Sequence, residues 1–567
     1  MFRYPLEIGS SSVKEEEEKN REEIKGRRDV CKGTIKYAEM SIKNEQNSTN
    51  GHVLGCSDTK MDIDEDEEKR RERKGVVYQI IMSLVANSSV LGPSMAFGYS
   101  AVALGPLMAP TSDVKIDSGQ GNWIGQYLPT ATALGIPLGC IVSSFSMRHG
   151  RKLSLLITSI VSIVGWMVIY LAGTYEQILV GRIISGIATG TASVPATVYS
   201  AEVASPIWRS TMVTWTSITI AVGILTVYVF GYAFKINERT GMQEATHDLS
   251  FSKDNWRMVA LMCALFPVVS VVLTLAVVPE TPIWLRDRGR LDEALQVLKR
   301  FHGIPKHVPP PSKLCQELKP RPQRKKQNLM KHLLKRNAMV PFAIMLSYFF
   351  FQQFSGIFVV VYYAVDIVQS AGVTIDPNLG AVLIGVTRLL GSILVACVSG
   401  KYGRRKSSIV SGLAMTIFMG ILSAYLLLQD RGYTINDGGL IPVMCILMYI
   451  FGSALGFMVI PFAMVSEVYP AKVKEVLTGV TSCITFIFSS ITVKTYPDME
   501  AAMGRHGVFI FFMLMSFLGT LFVAFFLPET KGKSLREIED MFSRRKAADD
   551  DSEEKSMMDV KNGTAGA

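Results

Sequence analysis

The sequence predicts an all-α membrane protein: twelve transmembrane helices in two six-helix bundles, joined by short cytoplasmic linker helices. Three observations predict this. Hydrophobic residues make up 49% of the chain against 19% charged, and mean hydropathy is positive, far from the balance of a soluble chain that divides into separate cores. About a dozen apolar runs reach the ~20 residues a helix needs to cross a bilayer. Lysine and arginine gather in alternate short loops, which marks those loops as cytoplasmic.

Residues 1–74 alternate acidic and basic runs, "KEEEEKNREEIKGRR" and "DIDEDEEKRRERK", with too few apolar side chains to bury; they read as a disordered cytoplasmic tail. No apolar run follows Met1, so no cleaved signal peptide is expected and the first span serves as its own insertion signal. The sequon Asn47-Ser48-Thr49 then lies on the side where it escapes glycosylation. Residues 75–279 hold six spans: Val76 to Ala103, Trp123 to Phe145, Leu153 to Gly173, Ile178 to Ser200, Thr211 to Phe234 and Trp256 to Val278. Residues 280–337 form a cytoplasmic linker, in which Leu291, Ala294, Leu295, Leu298 and Phe301 recur at helical spacing on one face, before "VPPP" and "KPRP" break regular structure. Six more spans fill 338–527: Ala338 to Val368, Leu379 to Ser399, Ser407 to Leu428, Leu440 to Val465, Leu477 to Thr495 and Val508 to Leu527. Residues 528–567 are a cytoplasmic tail.

The positive loops set the orientation. "KRRERK" precedes the first span, "RHGRK" follows the second, Arg209 the fourth, "KPRPQRKK" the sixth, "KYGRRK" the eighth, and Lys472 with Lys474 the tenth, so both termini are expected in the cytosol. The net charge of +10 therefore reports topology before any acidic partner, and no nucleic-acid module stands out. The eight cysteines lie in tails, linker or apolar helices and imply no disulfide framework. No Ser/His/Asp set or metal-ligand spacing points to an enzyme, and His302 and His307 read as solvated loop residues; no cofactor, metal or obligate protein partner is expected.

Two polar features interrupt the apolar helices. Gln352 and Gln353 lie in "FFQQFSGIFVVVYY", ~20 Å along the seventh span from Met339. Amides at that depth either face a wet cavity or bond to adjacent helices as glue. Arg388 lies ~16 Å deep in the eighth span, where it serves as a hydroxyl donor or anion clamp for a ligand, or as a structural partner for helix carbonyls or an unidentified acid.

Three motifs recur in order in the two halves: "SMRHGRK" with "GKYGRRK", "AEVASPIWR" with "SEVYPAKVK", and "PETPIWLRDRGR" with "PETKGKSLREIE". With these motifs the chain resembles the sugar porter family of the major facilitator superfamily, the glucose-transporter-like group, and within it the insect facilitated trehalose transporters, from about Val76 to Glu539. The resemblance implies the major facilitator fold and transport of a sugar by alternating access. It implies that Gln352 and Gln353 exchange hydrogen bonds with sugar hydroxyls and that Tyr362 and Tyr363 close an outer gate. It assigns substrate-facing positions to Arg388, Phe462, Ser217 and Thr485. Several depart from the family pattern: Phe462 stands for a Trp, Ser217 for a Gln, Thr485 for an Asn, and Phe358 for the Asn after "SGI". The acid before the Gly-Arg pair is replaced by Met147 and Gly400, and Arg182 is a family feature whose partner the sequence leaves unnamed. Proton-coupled members carry an Asp after "FGY"; Ser100 stands here, which implies downhill facilitation.

The paired charges read as a latch at the cytoplasmic mouth, or as topology determinants alone. As a latch, Arg151 and Lys152 reach Glu202 and Glu280, Arg404 and Arg405 reach Glu467 and Glu529, and Arg209 and Lys474 close the two acid-bearing motifs. The expected partners are a small-molecule substrate and the lipid bilayer. A non-transporting sugar sensor and a facilitator of an organic anion using Arg388 are the competing readings.

Overall fold

A computed structural model describes residues 65–108, 121–205, 208–239, 255–305, 333–370, 376–433, 438–470 and 473–530, with 308, 314, 537, 541 and 542. The expectations for residues 1–64, including Asn47, and those for His307, Lys472, "KPRP" and most of the C-terminal tail lie outside the described residues.

Every described span is helical, because a backbone in lipid has to satisfy its hydrogen bonds within the segment. α1 (Glu65–Met108) runs 44 residues and starts ten residues inside the predicted tail. The reason is local: "EDEEKRRERK" has no glycine or proline, and four of its five acids precede its bases, which suits the helix dipole. At about 66 Å the helix outruns a ~30 Å hydrocarbon core, so its charged first turns project beyond the apolar part. α2 (Gly121–His149), α3 (Arg151–Tyr170), α4 (Tyr175–Ala192) with α5 (Pro195–Val203), α6 (Arg209–Arg239) and α7 (Asn255–Val277) complete the first six spans. α8 (Pro282–Asp287) and α9 (Leu291–Phe301) lie in the linker.

The second half repeats the plan with more interruptions. α10 (Arg336–Phe354), α11 (Ile357–Tyr362) and α12 (Ala364–Ser370) together make the seventh span, and α13 (Pro377–Tyr402) and α14 (Arg404–Asp430) the eighth and ninth. α15 (Leu440–Ala454) and α16 (Ile460–Val468) make the tenth, and α17 (Lys474–Phe526) holds the eleventh and twelfth, turning at Gly504. Nine described helices are each long and apolar enough to cross a membrane. The interruptions of the seventh and tenth spans and the fusion of the last two account for the difference from twelve. Spans four and ten break at matching places, each resuming as a short helix with proline in its first turn, Pro195 and Pro461.

The outward surface is apolar where lipid would lie, with Leu134, Phe145, Leu171, Val272, Leu275 and Phe525 exposed. Inside, α2 and α4 meet backbone to backbone. A Cβ on Gly139 would fall 2.8 Å from Gly190 Cα and collide with Ile187 O, so "GIPLG" and "GIATG" act as small-residue seams. The linker helix forms where its apolar periodicity predicts, burying Ala294 and Phe301. Its end docks on the start of α1: Tyr78 and Phe301 rings lie 5.3 Å apart, and Gln79 Nε2 donates to Phe301 O at 2.8 Å.

Candidate functional site

The face that carries the basic loops holds two copies of one arrangement. Glu280, just past α7, sits at the N-terminus of α3, where its carboxylate accepts the backbone N–H of Arg151 at 2.8 Å and of Lys152 at 3.2 Å. In the second half Glu529 accepts the backbone N–H of Arg404 at 3.0 Å and of Arg405 at 3.2 Å. Each carboxylate caps a helix distant in sequence, satisfying orphan N–H groups and the positive end of the dipole. The arginine beside each cap pairs with the second acid: Arg151 with Glu202 at 2.7 Å, Arg404 with Glu467 at 2.9 Å. The threonine after each capping glutamate completes the copy, Thr281 donating to Glu202 at 2.6 Å and Thr530 to Glu467 at 2.8 Å. The glycine before each helix is required by space and conformation. Gly150 has φ 143° and a Cβ there would meet Glu280 Oε2 at 2.5 Å; Gly403 has φ 89° and would meet Glu529 Oε2 at 2.7 Å.

Two details differ from the sequence expectation. Lys152 Nζ donates to Leu275 O at 3.2 Å, and the Arg405 guanidinium to Ala524 O, so both second bases tie to backbone carbonyls, their acids being occupied by the helix ends. Arg209 is exposed at the start of α6 and joins no described acid. Burial raises the Glu280 pKa above the ordinary glutamate value, against the lowering effect of the backbone N–H groups and of Arg151.

Toward the opposite end the halves meet through aromatic side chains. Phe97 of α1 packs on Phe358 at 5.5 Å and on Tyr362 at 5.8 Å, both on α11. Tyr228 of α6 donates to Val361 O at 2.6 Å, and within the second half the tilted rings of Tyr363 and Tyr496 lie 5.0 Å apart. Tyr362 and Tyr363 are both buried. Phe358, at the position of a family asparagine, is thus an apolar contact between the halves. Phe97 and Tyr228 were not singled out from sequence, since neither lies in a repeated motif.

Between these ends lies the amide pair. Gln352 is 0% exposed, and its Nε2 donates to Phe457 O at 2.8 Å and Met458 O at 3.0 Å. Those carbonyls are free because the tenth span is non-helical from Leu455 to Val459. Ser411 holds the same break, accepting from Phe457 N at 2.8 Å. Of the two readings of the amides, glue therefore describes the Gln352 amide nitrogen. Gln353 is 1% exposed and donates to Gln352 Oε1 at 3.3 Å, while its own Oε1 has no partner. Thr485 donates to Thr481 O of its own helix at 2.7 Å. Phe462 is 37% exposed, with its ring 4.9 Å from Phe349 and 6.4 Å from Phe486, so it lies beside the turn that carries the glutamines. Ser217 is half-buried on α6, in the other half.

Two guanidinium groups are buried. Arg182 donates to Ala96 O at 3.0 Å and Leu128 O at 3.4 Å, and to Ser100 Oγ, with its charge 5.3 Å over the Tyr99 ring. The partner that the sequence left unnamed is therefore Ser100, the residue standing where proton-coupled relatives carry an acid. Arg388 is 4% exposed, and its Nε and one terminal nitrogen have no partner. An arginine at the centre of a membrane helix costs about 2.5 kcal/mol or more, so both need compensation.

The family described as "Sugar (and other) transporter" matches residues 94–542. The chain is 32% identical to the facilitated trehalose transporter Tret1 of Drosophila erecta over 463 residues, 80% of this chain and 51% of that protein. It is also 32% identical to a Tret1-2 homolog of Drosophila simulans, covering 80% of this chain and 90% of that one. The chain thus spans about half the length of the first of these relatives. Among solved structures, the major facilitator superfamily proton:xylose symporter XylE bound to 6-bromo-6-deoxy-D-glucose superposes with TM-score 0.67 at 23% identity, over 82% of this chain and 99% of that one. XylE from E. coli in an inward open conformation gives TM-score 0.63 at 22% identity, covering 82% and 99%. The architecture is the major facilitator fold, and by the extent of the family match the chain is a member of the sugar (and other) transporter family.

Proposed function

We propose that the chain carries a sugar such as trehalose or a hexose down its gradient by alternating access, in the plasma membrane with both termini in the cytosol. The observation that carries this reading is the asymmetry of the two ends. Phe97, Phe358 and Tyr362 join the halves through aromatic rings at one end, whereas the other end is braced by a capped, charge-paired cluster in each half. A carrier needs closures that make and break in turn, and the seventh span supplies a hinge, interrupted at Ser355–Gly356 and again at Tyr363. Tyr362 and Tyr363 are the outer gate in this reading, and the clusters around Arg151, Glu202, Arg404 and Glu467 stiffen the inner ends of each half. Gln353, Arg388, Phe462, Ser217 and Thr485 face the sugar, and Gln352 holds the broken tenth span beside it.

Uniport rests on Ser100. Where Arg182 would need a titratable carboxylate to couple proton movement to its pairing, it meets a hydroxyl that does not ionise in the working range. Transport without catalysis matches the family. Counterflow in proteoliposomes separates a carrier from a sensor: unlabelled sugar inside should speed entry of labelled sugar, whereas a sensor would bind sugar with no exchange.

A further inference from the structure

We propose that Arg388 forms an anion-binding subsite, and that the substrate is a sugar carrying a carboxylate or a comparable oxyanion. This rests on the sugar-carrier reading and replaces its neutral trehalose or hexose by an acidic sugar.

The contrast with Arg182 carries the inference. Arg182 is what a structural arginine in an apolar bundle looks like: two backbone carbonyls and a hydroxyl accept its hydrogen bonds, an aromatic face lies under its charge, and a single nitrogen, Nη1, is left without a partner. Arg388 has the same burial and no such set. Its Nε and one terminal nitrogen find no acceptor, and it makes no ion pair with any described residue. Buried polar groups in folded proteins are almost always satisfied, and an unpaired buried charge is costlier still. A guanidinium offers a planar fork of donors matched to a carboxylate, which supplies two acceptors and the missing charge together. Neutral hydroxyls supply the acceptors alone.

Its position is where a carried group would have to be held. One turn before Arg388, Gly385 lets α6 of the other half approach so closely that a Cβ would lie 3.1 Å from Leu225 Cα and 3.2 Å from the Tyr228 ring. One turn after it, Gly391 lies against α15, where a Cβ would meet Ala454 at 2.6 Å. The guanidinium is therefore enclosed at a junction of the two halves. Tyr228, whose ring borders Gly385, already donates its proton to Val361 O. The unmet donors are left for a ligand.

The test uses the purified full-length chain with D-glucuronate, D-glucose and lactate as probes, binding being read by competition and transport by tracer flux in proteoliposomes. Wild type should bind D-glucuronate at least tenfold more tightly than D-glucose. Arg388→Gln should lower that ratio at least tenfold and Arg388→Lys should restore part of it, which a merely structural arginine would not do. Lactate bound as tightly as D-glucuronate would support the anion subsite while removing the sugar-carrier reading. Glucose bound as tightly as D-glucuronate by wild type, or a ratio that Arg388→Gln leaves unchanged, would overturn the subsite and leave the sugar-carrier reading standing. The wild-type comparison decides even if the glutamine variant fails to fold.

Discussion

The Glu280 carboxylate accepts the backbone N–H of Arg151 at 2.8 Å, so a residue at the end of the sixth span caps the helix that begins the third. Glu529 and Arg404 repeat the contact in the second half at 3.0 Å. Glu280→Ala removes this cap and should cost about 1 kcal/mol, read as a lower midpoint of thermal unfolding in detergent. Gly150→Ala should cost more, since it adds a Cβ against the same carboxylate at a φ of 143° that alanine resists.

The same carboxylate sets a pH dependence. Burial raises the Glu280 pKa above 4.5 in the folded chain, so the folded state holds its proton more tightly than the unfolded state does. Ionised Glu280 therefore subtracts from stability at neutral pH, and the deficit fades as pH falls through the raised value. Relative to Glu280→Gln, whose side chain does not titrate, wild type should gain stability as pH is lowered toward 4.5. A gain on raising the pH would be the wrong sign.

The two glutamines should separate by readout. Gln352→Leu strips Phe457 O and Met458 O of their donor and should cost about 1–3 kcal/mol, seen as loss of stability together with flux. Gln353→Ala removes an oxygen that has no protein partner, so its main effect should be a weaker apparent affinity for sugar, with a smaller loss of stability.

Closure at the far end should depend on Phe97. Phe97→Ala deletes the ring contacts to Phe358 and Tyr362, an aromatic pair being worth about 0.5–1.5 kcal/mol beyond its buried area. The halves should part more often there. A cysteine placed by Tyr362→Cys should then react faster with an impermeant thiol reagent in the Phe97→Ala background.

Much of this was legible in the sequence, for physical reasons. Lipid demands long apolar helices, so the spans could be read from run length, and the repeated motifs exposed the two halves. What the spacing did not reveal was which atoms meet. Glu280 and Glu529 could be matched to their arginine motifs, yet they take backbone N–H groups, leaving Lys152 and Arg405 to bind carbonyls. The threonines of the two "PET" copies were visible as a repeat and their role was missed. Gln352 could not be assigned to the tenth span, because its acceptors are freed by a break 105 residues away. The seam through Phe97 and Tyr228 leaves no periodic signal, since a single aromatic on an apolar helix resembles any other core residue.

Uptake of a labelled sugar into proteoliposomes with an inward proton gradient tests the downhill mechanism most directly. With Ser100 against Arg182, the internal concentration should rise to the external value and stop there, with or without a protonophore. Accumulation above the external concentration that a protonophore abolishes would contradict it.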